Sequence, residues 1–230
     1  MAESRAGAHL VGRIRADLTN ASDPARAPGM QAYMKSTLPF FGVPVPQVRR
    51  ITRSVARAEP DLDLDALVGA ARDLFDTATH REERYAALAL LALPRARGRL
   101  ELVPLHEHFA TTGAWWDIVD ETAHRIADLH DEHPRHTAEV VRRWSRHDDL
   151  WLRRLAIISQ LGRRDRVDPT LLADVIEPNL TDRDFFIRKA IGWALRDYAR
   201  TRPDWVRAFV SDHDQLSPLS RREALKHLSG

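Results

Sequence analysis

Trp116 and Asp120 stand four residues apart, and Arg154 and Trp193 recur further along the chain in similar helical surroundings. Each residue type suits one part of a site that handles positive charge. An indole face attracts cations, and a carboxylate stabilises positive charge that develops beside it. A guanidinium presents a planar fork that matches phosphate. These four side chains are the candidates for chemistry, provided that the elements carrying them point them the same way.

Those elements are predicted to be helices. Strong helix formers fill Arg81 to Leu93, and alternating β-branched runs or Asn-Gly and Asp-Gly hairpin signals are missing. Pro60, Pro94, Pro134, Pro169, Pro178 and Pro203 fall where helical patterns start or stop, which divides the chain into about a dozen short helices. The segment Trp151-Leu152-Arg153-Arg154-Leu155-Ala156-Ile157-Ile158 matches Phe186-Ile187-Arg188-Lys189-Ala190-Ile191-Gly192-Trp193 at an offset of about 35 residues, and a weaker match begins at Trp116. A fixed offset of this size marks stacked helix pairs, so the expected fold is all-α, an α-solenoid of HEAT-like repeats forming one domain over 1–230. A compact helical bundle is the alternative.

At 100° per residue, Leu152, Leu155, Ala156 and Ser159 share one face of their helix, as do Ile187, Ala190, Ile191 and Ala194 of the next. Trp115, Ile118, Val119, Thr122 and Ile126 make the corresponding stripe before them. Trp116, Asp120, Arg154 and Trp193 lie off these stripes, on equivalent faces of three helices. A structural reading competes: the tryptophans pack against a second helix layer and Asp120 pairs with Arg154. It weakens for the four jointly, because a helix with an apolar face gains little from a further exposed Trp.

Composition narrows the setting. The formal charge is +2, and all but Lys35, Lys189 and Lys226 of the basic residues are arginines. That bias points to nucleic acid only weakly. The chain has no cysteine, which excludes disulfides and thiolate catalysis. The longest apolar run, Tyr85 to Leu93, is too short to span a membrane, and the polar start at Met1 to Ala8 lacks a signal pattern. A cytoplasmic protein is expected, nucleoid-associated if bacterial. His130, His133 and His136 are interrupted by Pro134, and the two histidines of His106-Glu107-His108 cannot share a helix face. Both groups are expected to be solvated surface, with no metal site.

Several blocks together resemble the AlkC/AlkD-type DNA glycosylases of alkylation repair. They are Gln31-Ala32-Tyr33-Met34-Lys35 with Leu38-Pro39-Phe40-Phe41-Gly42-Val43-Pro44, Arg81-Glu82-Glu83-Arg84-Tyr85-Ala86-Ala87, and Trp115-Trp116-Asp117-Ile118-Val119-Asp120. Trp151-Leu152-Arg153-Arg154 and Phe185-Phe186-Ile187-Arg188-Lys189-Ala190-Ile191-Gly192-Trp193-Ala194-Leu195-Arg196 complete the set, and the likeness runs over about residues 10 to 228. The resemblance implies excision of cationic N3- and N7-alkylpurines from double-stranded DNA by a monofunctional glycosylase of the 3-methyladenine/7-methylguanine type. It implies Asp120, Trp116 and Trp193 as catalytic residues, and Tyr33 and Arg154 as DNA-binding ones. Lys189 and Arg196 are further phosphate candidates by charge, and Arg153 competes with Arg154 for the cleft-facing register.

On that implication an alkylated purine leaves without protonation, and Asp120 meets the charge that moves onto the sugar. Trp116 and Trp193 would flank it. No lysine occupies a catalytic position, so no Schiff-base step is expected. No cofactor and no partner besides DNA are expected, and the protein is expected to be monomeric. Two alternatives remain: a specialist for bulky N3-purine adducts of a DNA-alkylating natural product, and a non-catalytic scaffold that binds DNA or protein.

Overall fold

The structure is a computed structural model that describes residues 2–59 and 62–228, with side chains in the first helix from residue 6. Among the described residues the secondary structure consists of thirteen α-helices and three short 3-10 turns, with no strand. The contacts group into two compact units, residues 1–97 and 98–230, within the span expected of one domain.

The first unit contains α1 (Ala2–Asn20), α2 (Ala27–Met34), α3 (Val45–Arg57), α4 (Leu64–Asp76) and α5 (Arg81–Leu91). Helix α5 is buried along nearly its whole length and packs against α1, α3 and α4. From Tyr85 onward α5 is apolar on every side and must sit at the centre of its unit, and each of its fully buried leucines contributes about 1.5–3 kcal/mol. Its first turn is polar and also buried, because Glu82 accepts the backbone N–H groups of Phe41, Gly42 and Val43 at 2.9–3.0 Å. Two of the sequence blocks therefore meet in one contact. Gly42 is required there: its φ is +87°, and a Cβ would come within 2.2 Å of the Asp23 carbonyl oxygen.

The second unit runs through α6 (Val103–Gly113), α7 (Trp116–Glu132), α8 (Pro134–Trp144), α9 (Leu150–Ile158), α10 (Pro169–Ile176), α11 (Phe185–Tyr198), α12 (Pro203–Asp212) and α13 (Pro218–Leu225). Helices α7, α9, α11 and α13 stack in series; α6 and α8 cover α7 and α9, and α12 covers α11 and α13. This is a solenoid of helix pairs. Prolines open α8, α10, α12 and α13, where the missing N–H costs nothing. Pro94 follows α5, Pro178 lies in a 3-10 turn, and Pro60 lies outside the described residues.

Each of α9, α11 and α13 starts from a side-chain cap, Asp149, Asp184 and Ser217 in turn. A cap of this kind is worth about 1 kcal/mol, and these three keep the starts in register. The repeat also appears in the bonds between layers: Asp120 pairs with Arg154 across 34 residues, and Lys189 with Glu223 across 34. The match from Trp116 to Trp151 is one residue out of phase. Trp116 is the first residue of α7, whereas Trp151 is the second of α9.

Candidate active site

The start of α7 is held by aromatic packing rather than by a capping side chain. Trp115 precedes the helix with extended backbone, and its ring lies 6.0 Å from Trp151 and 5.4 Å from Phe186. The Trp151 and Phe186 rings are 5.1 Å apart, so one cluster ties together the first turns of α7, α9 and α11. Trp116 begins α7 beside this cluster, and Asp120 follows one turn later on the same face.

Asp120 is gripped by Arg154. The Arg154 Nε donates to one carboxylate oxygen at 2.8 Å and Nη2 to the other at 2.9 Å, while Nη1 donates to the Phe186 carbonyl at 2.7 Å. A single guanidinium thus bridges α7, α9 and α11. The Arg154 side chain is only 4% exposed, against 17% for Asp120, so the carboxylate is the member of the pair that reaches solvent. Burial pushes the Asp120 carboxyl above the ordinary aspartate range, and the hydrogen bonds and charge of Arg154 offset this only in part. Arg153 turns the other way, to the His147 and Asp148 carbonyls and Asp182. The competing salt-bridge reading of Asp120 and Arg154 describes the contact correctly. Three donors of Arg154 are already spent on protein, which makes it a holder of Asp120 rather than an open phosphate ligand.

Trp193 is half-buried on α11, two turns after Phe186, and Lys189 and Arg196 share that face of the helix. Both cations donate to Glu223 of α13, which their hydrogen bonds and charge hold below the usual carboxylate range, Lys189 foremost. Two cations on one carboxylate leave a surplus positive charge. The helices approach closely enough that a Cβ on Gly192 would meet the Glu223 Cβ at 2.5 Å. Tyr33 lies on α2 in the first unit and is 75% exposed.

Phe186 and Glu223 escaped the sequence reading. The Phe186 carbonyl acts through backbone, which residue type does not reveal. Glu223 had an available signal, because its spacing from Lys189 equals that of Asp120 from Arg154. The histidine expectation needs correcting: His106 and His130 are buried, each 3% exposed, and the His133 Nε2 donates to the Gly98 carbonyl at 3.0 Å. Only His136 of its group is exposed. Among the described residues no group of His and carboxylates could hold a metal ion.

The model of a family described as DNA alkylation repair enzyme matches residues 14–228. The chain belongs to that family. A solved structure described as a predicted DNA alkylation repair enzyme from Enterococcus faecalis is 29% identical, with a TM-score of 0.80 over 90% of this chain and 97% of that one. Pseudomonas fluorescens alkylpurine DNA glycosylase AlkC, bound to DNA containing an abasic site analog, is 20% identical; the TM-score is 0.44 over 98% of this chain and 62% of that one. Among curated proteins none matches the chain. As an alkylation repair enzyme the protein carries no described helix long and apolar enough to cross a membrane.

Proposed function

We propose that this alkylation repair enzyme is a monofunctional DNA glycosylase that hydrolyses the N-glycosidic bond of cationic N3- and N7-alkylpurines in duplex DNA. The observation that carries the reading is the Asp120 carboxylate, fixed by a buried guanidinium fork and still open to solvent beside Trp116. An N-alkylated purine leaves with the bonding electron pair, which neutralises its charge. Positive charge then appears on the deoxyribose, where a carboxylate held in place beforehand lowers the barrier without reorganising. Water adds to the sugar carbon and gives up its proton, leaving an abasic site. Trp116 and Trp193 supply cation-attracting faces, each worth about 1–2 kcal/mol when desolvated. Tyr33, Lys189 and Arg196 are proposed to contact the DNA.

Incubation with methylated duplex is expected to release free 7-methylguanine and 3-methyladenine, measured by chromatography, and to leave strands uncut until alkali is added. No release from folded protein that binds the duplex would favour the scaffold reading. Release of bulky N3-adducts in preference to methyl ones would favour the specialist.

Arg154 is proposed as a positioning residue, and the pH profile tests this. The reaction needs ionised Asp120, whose carboxyl is already raised by burial. Activity is therefore lost as pH falls through a value above the ordinary aspartate one. Arg154→Met removes what lowers that carboxyl, so the acid limb should move to still higher pH, with a lower kcat plateau. An unchanged acid limb would sink the assignment.

A further inference from the structure

Helix α3 is divided cleanly into two faces. Val48, Thr52 and Val55 are its buried residues. Arg50, Arg53 and Arg57 are exposed and fall on the opposite side, within about 60° of one another at 100° per residue. Among the described residues none of the three has a hydrogen bond or ion pair, and α3 contains no carboxylate to neutralise them. Other cations of the chain are paired, among them Arg142, Arg153, Arg154, Arg163 and Lys189, each with a carboxylate partner at 2.8–3.1 Å.

A solvated stripe of like charge is not stabilising in itself, since neighbouring cations one turn apart repel by a few tenths of a kcal/mol. Its spacing matches a polyanion. Three guanidinium groups are distributed over about 10 Å of helix axis, a length over which one DNA strand presents about three phosphates. The surroundings suit the same ligand. Arg50 and Ser54 border one groove with Gln47, Asn20 and a single carboxylate, Asp17, and Arg53 and Arg57 border a second with Arg95. Glu59, the carboxylate in that second groove, is taken by His9 at 2.8 Å.

We propose that the Arg50–Arg53–Arg57 face of α3 binds the phosphate backbone of duplex DNA, giving the first unit its own sequence-independent grip on the substrate. The proposal rests on the reading of the chain as a DNA glycosylase. Backbone contacts of this kind position a protein on the duplex and carry no base information. They are strongly salt-dependent, because each phosphate neutralised releases a counterion.

The test compares wild type with an Arg50→Gln/Arg53→Gln/Arg57→Gln variant, using fluorescence anisotropy on undamaged duplex across a salt series. All three positions are exposed, and a thermal melt by circular dichroism verifies that the variant folds. The slope of log K against log salt should become shallower by roughly 2.7. Between about 50 and 200 mM salt the variant should then lose about 40-fold less affinity than wild type. The matching Lys variant should restore most of the slope. An unaltered slope in the Gln variant overturns the proposal, as does failure of the Lys variant to restore it. Wild-type release with an unaltered slope sinks this stripe alone, whereas a shallower slope without wild-type release sinks the glycosylase reading and leaves the stripe standing.

Discussion

Asp120→Asn is expected to lower single-turnover release of 7-methylguanine by about two to three orders of magnitude, with affinity for undamaged duplex largely unchanged. The change removes the charge but keeps the shape and one acceptor oxygen for the Arg154 fork. It therefore isolates electrostatic stabilisation from packing. Amputating one partner of a buried ion pair costs about 3–5 kcal/mol, but here Asp120 is the more exposed partner and Asn still accepts a hydrogen bond. The expected loss of stability is smaller than that, and a melt shows whether the fold survives. Raising the pH cannot rescue the variant, because an amide has no carboxylate to regain. Release near the wild-type rate would mean that another group carries the charge.

The fold is expected to be acid-labile well above the pH at which carboxylates titrate. Burial pushes His106 down to about 3 and His130 down to about 4, from an ordinary 6.5. Nearby arginines add to this, Arg125 at His106 and Arg163 at His130. In the folded chain both rings stay neutral through mild acid. In the unfolded chain both take up a proton below 6.5. The stability they contribute is thus fully present above pH 6.5 and is lost as pH falls toward their folded values. Each costs about 1.4 kcal/mol per pH unit over that range, which for His106 sums to about 5 kcal/mol.

Two such rings acting together would remove about 4 kcal/mol between pH 6.5 and 5, a large part of a typical domain's stability. Asp120 acts with the opposite sign. Its raised carboxyl favours the fold in its protonated form, so it gives back some stability as pH falls through its folded value. Asp131 and Glu223 are lowered, so their contributions vanish only at lower pH, through the carboxylate range. Urea melts between pH 7 and 5 measure the slope. His106→Gln should flatten it by about 1.4 kcal/mol per unit; a slope identical to wild type would show that His106 does not titrate this way.

Much of the architecture was legible in the residues alone. Helix formers, proline punctuation and the repeated Trp151 and Phe186 segments implied stacked helix pairs, and the prolines at α8, α10 and α12 stand at first helical positions for the expected reason. The apolar stripes of α9 and α11 are buried as their periodicity required. Face analysis also separated Trp116, Asp120 and Trp193, all half-buried, from those stripes. Local spacing determines these features, because a helix fixes which residues share a face whatever surrounds it.

Tertiary packing decided what each off-stripe residue does. Periodicity placed Arg154 away from its stripe but could not say that its fork would be 2.7–2.9 Å from Asp120 and the Phe186 carbonyl. An inner helix of a solenoid has neighbours on two sides, so a residue off the main apolar stripe can still be buried. Arg154 on α9 and His130 on α7 are such cases, and His130 looked like surface in the sequence, as did His106, which is buried on the covering helix α6. The one-residue slip between α7 and α9 has the same origin. Trp115 enters the aromatic cluster where Asp149 and Asp184 cap the later helices, and this brings Asp120 level with Arg154. The chemistry-bearing residue types were therefore written in the chain, whereas the buried grip that orients the carboxylate exists only once the layers stack.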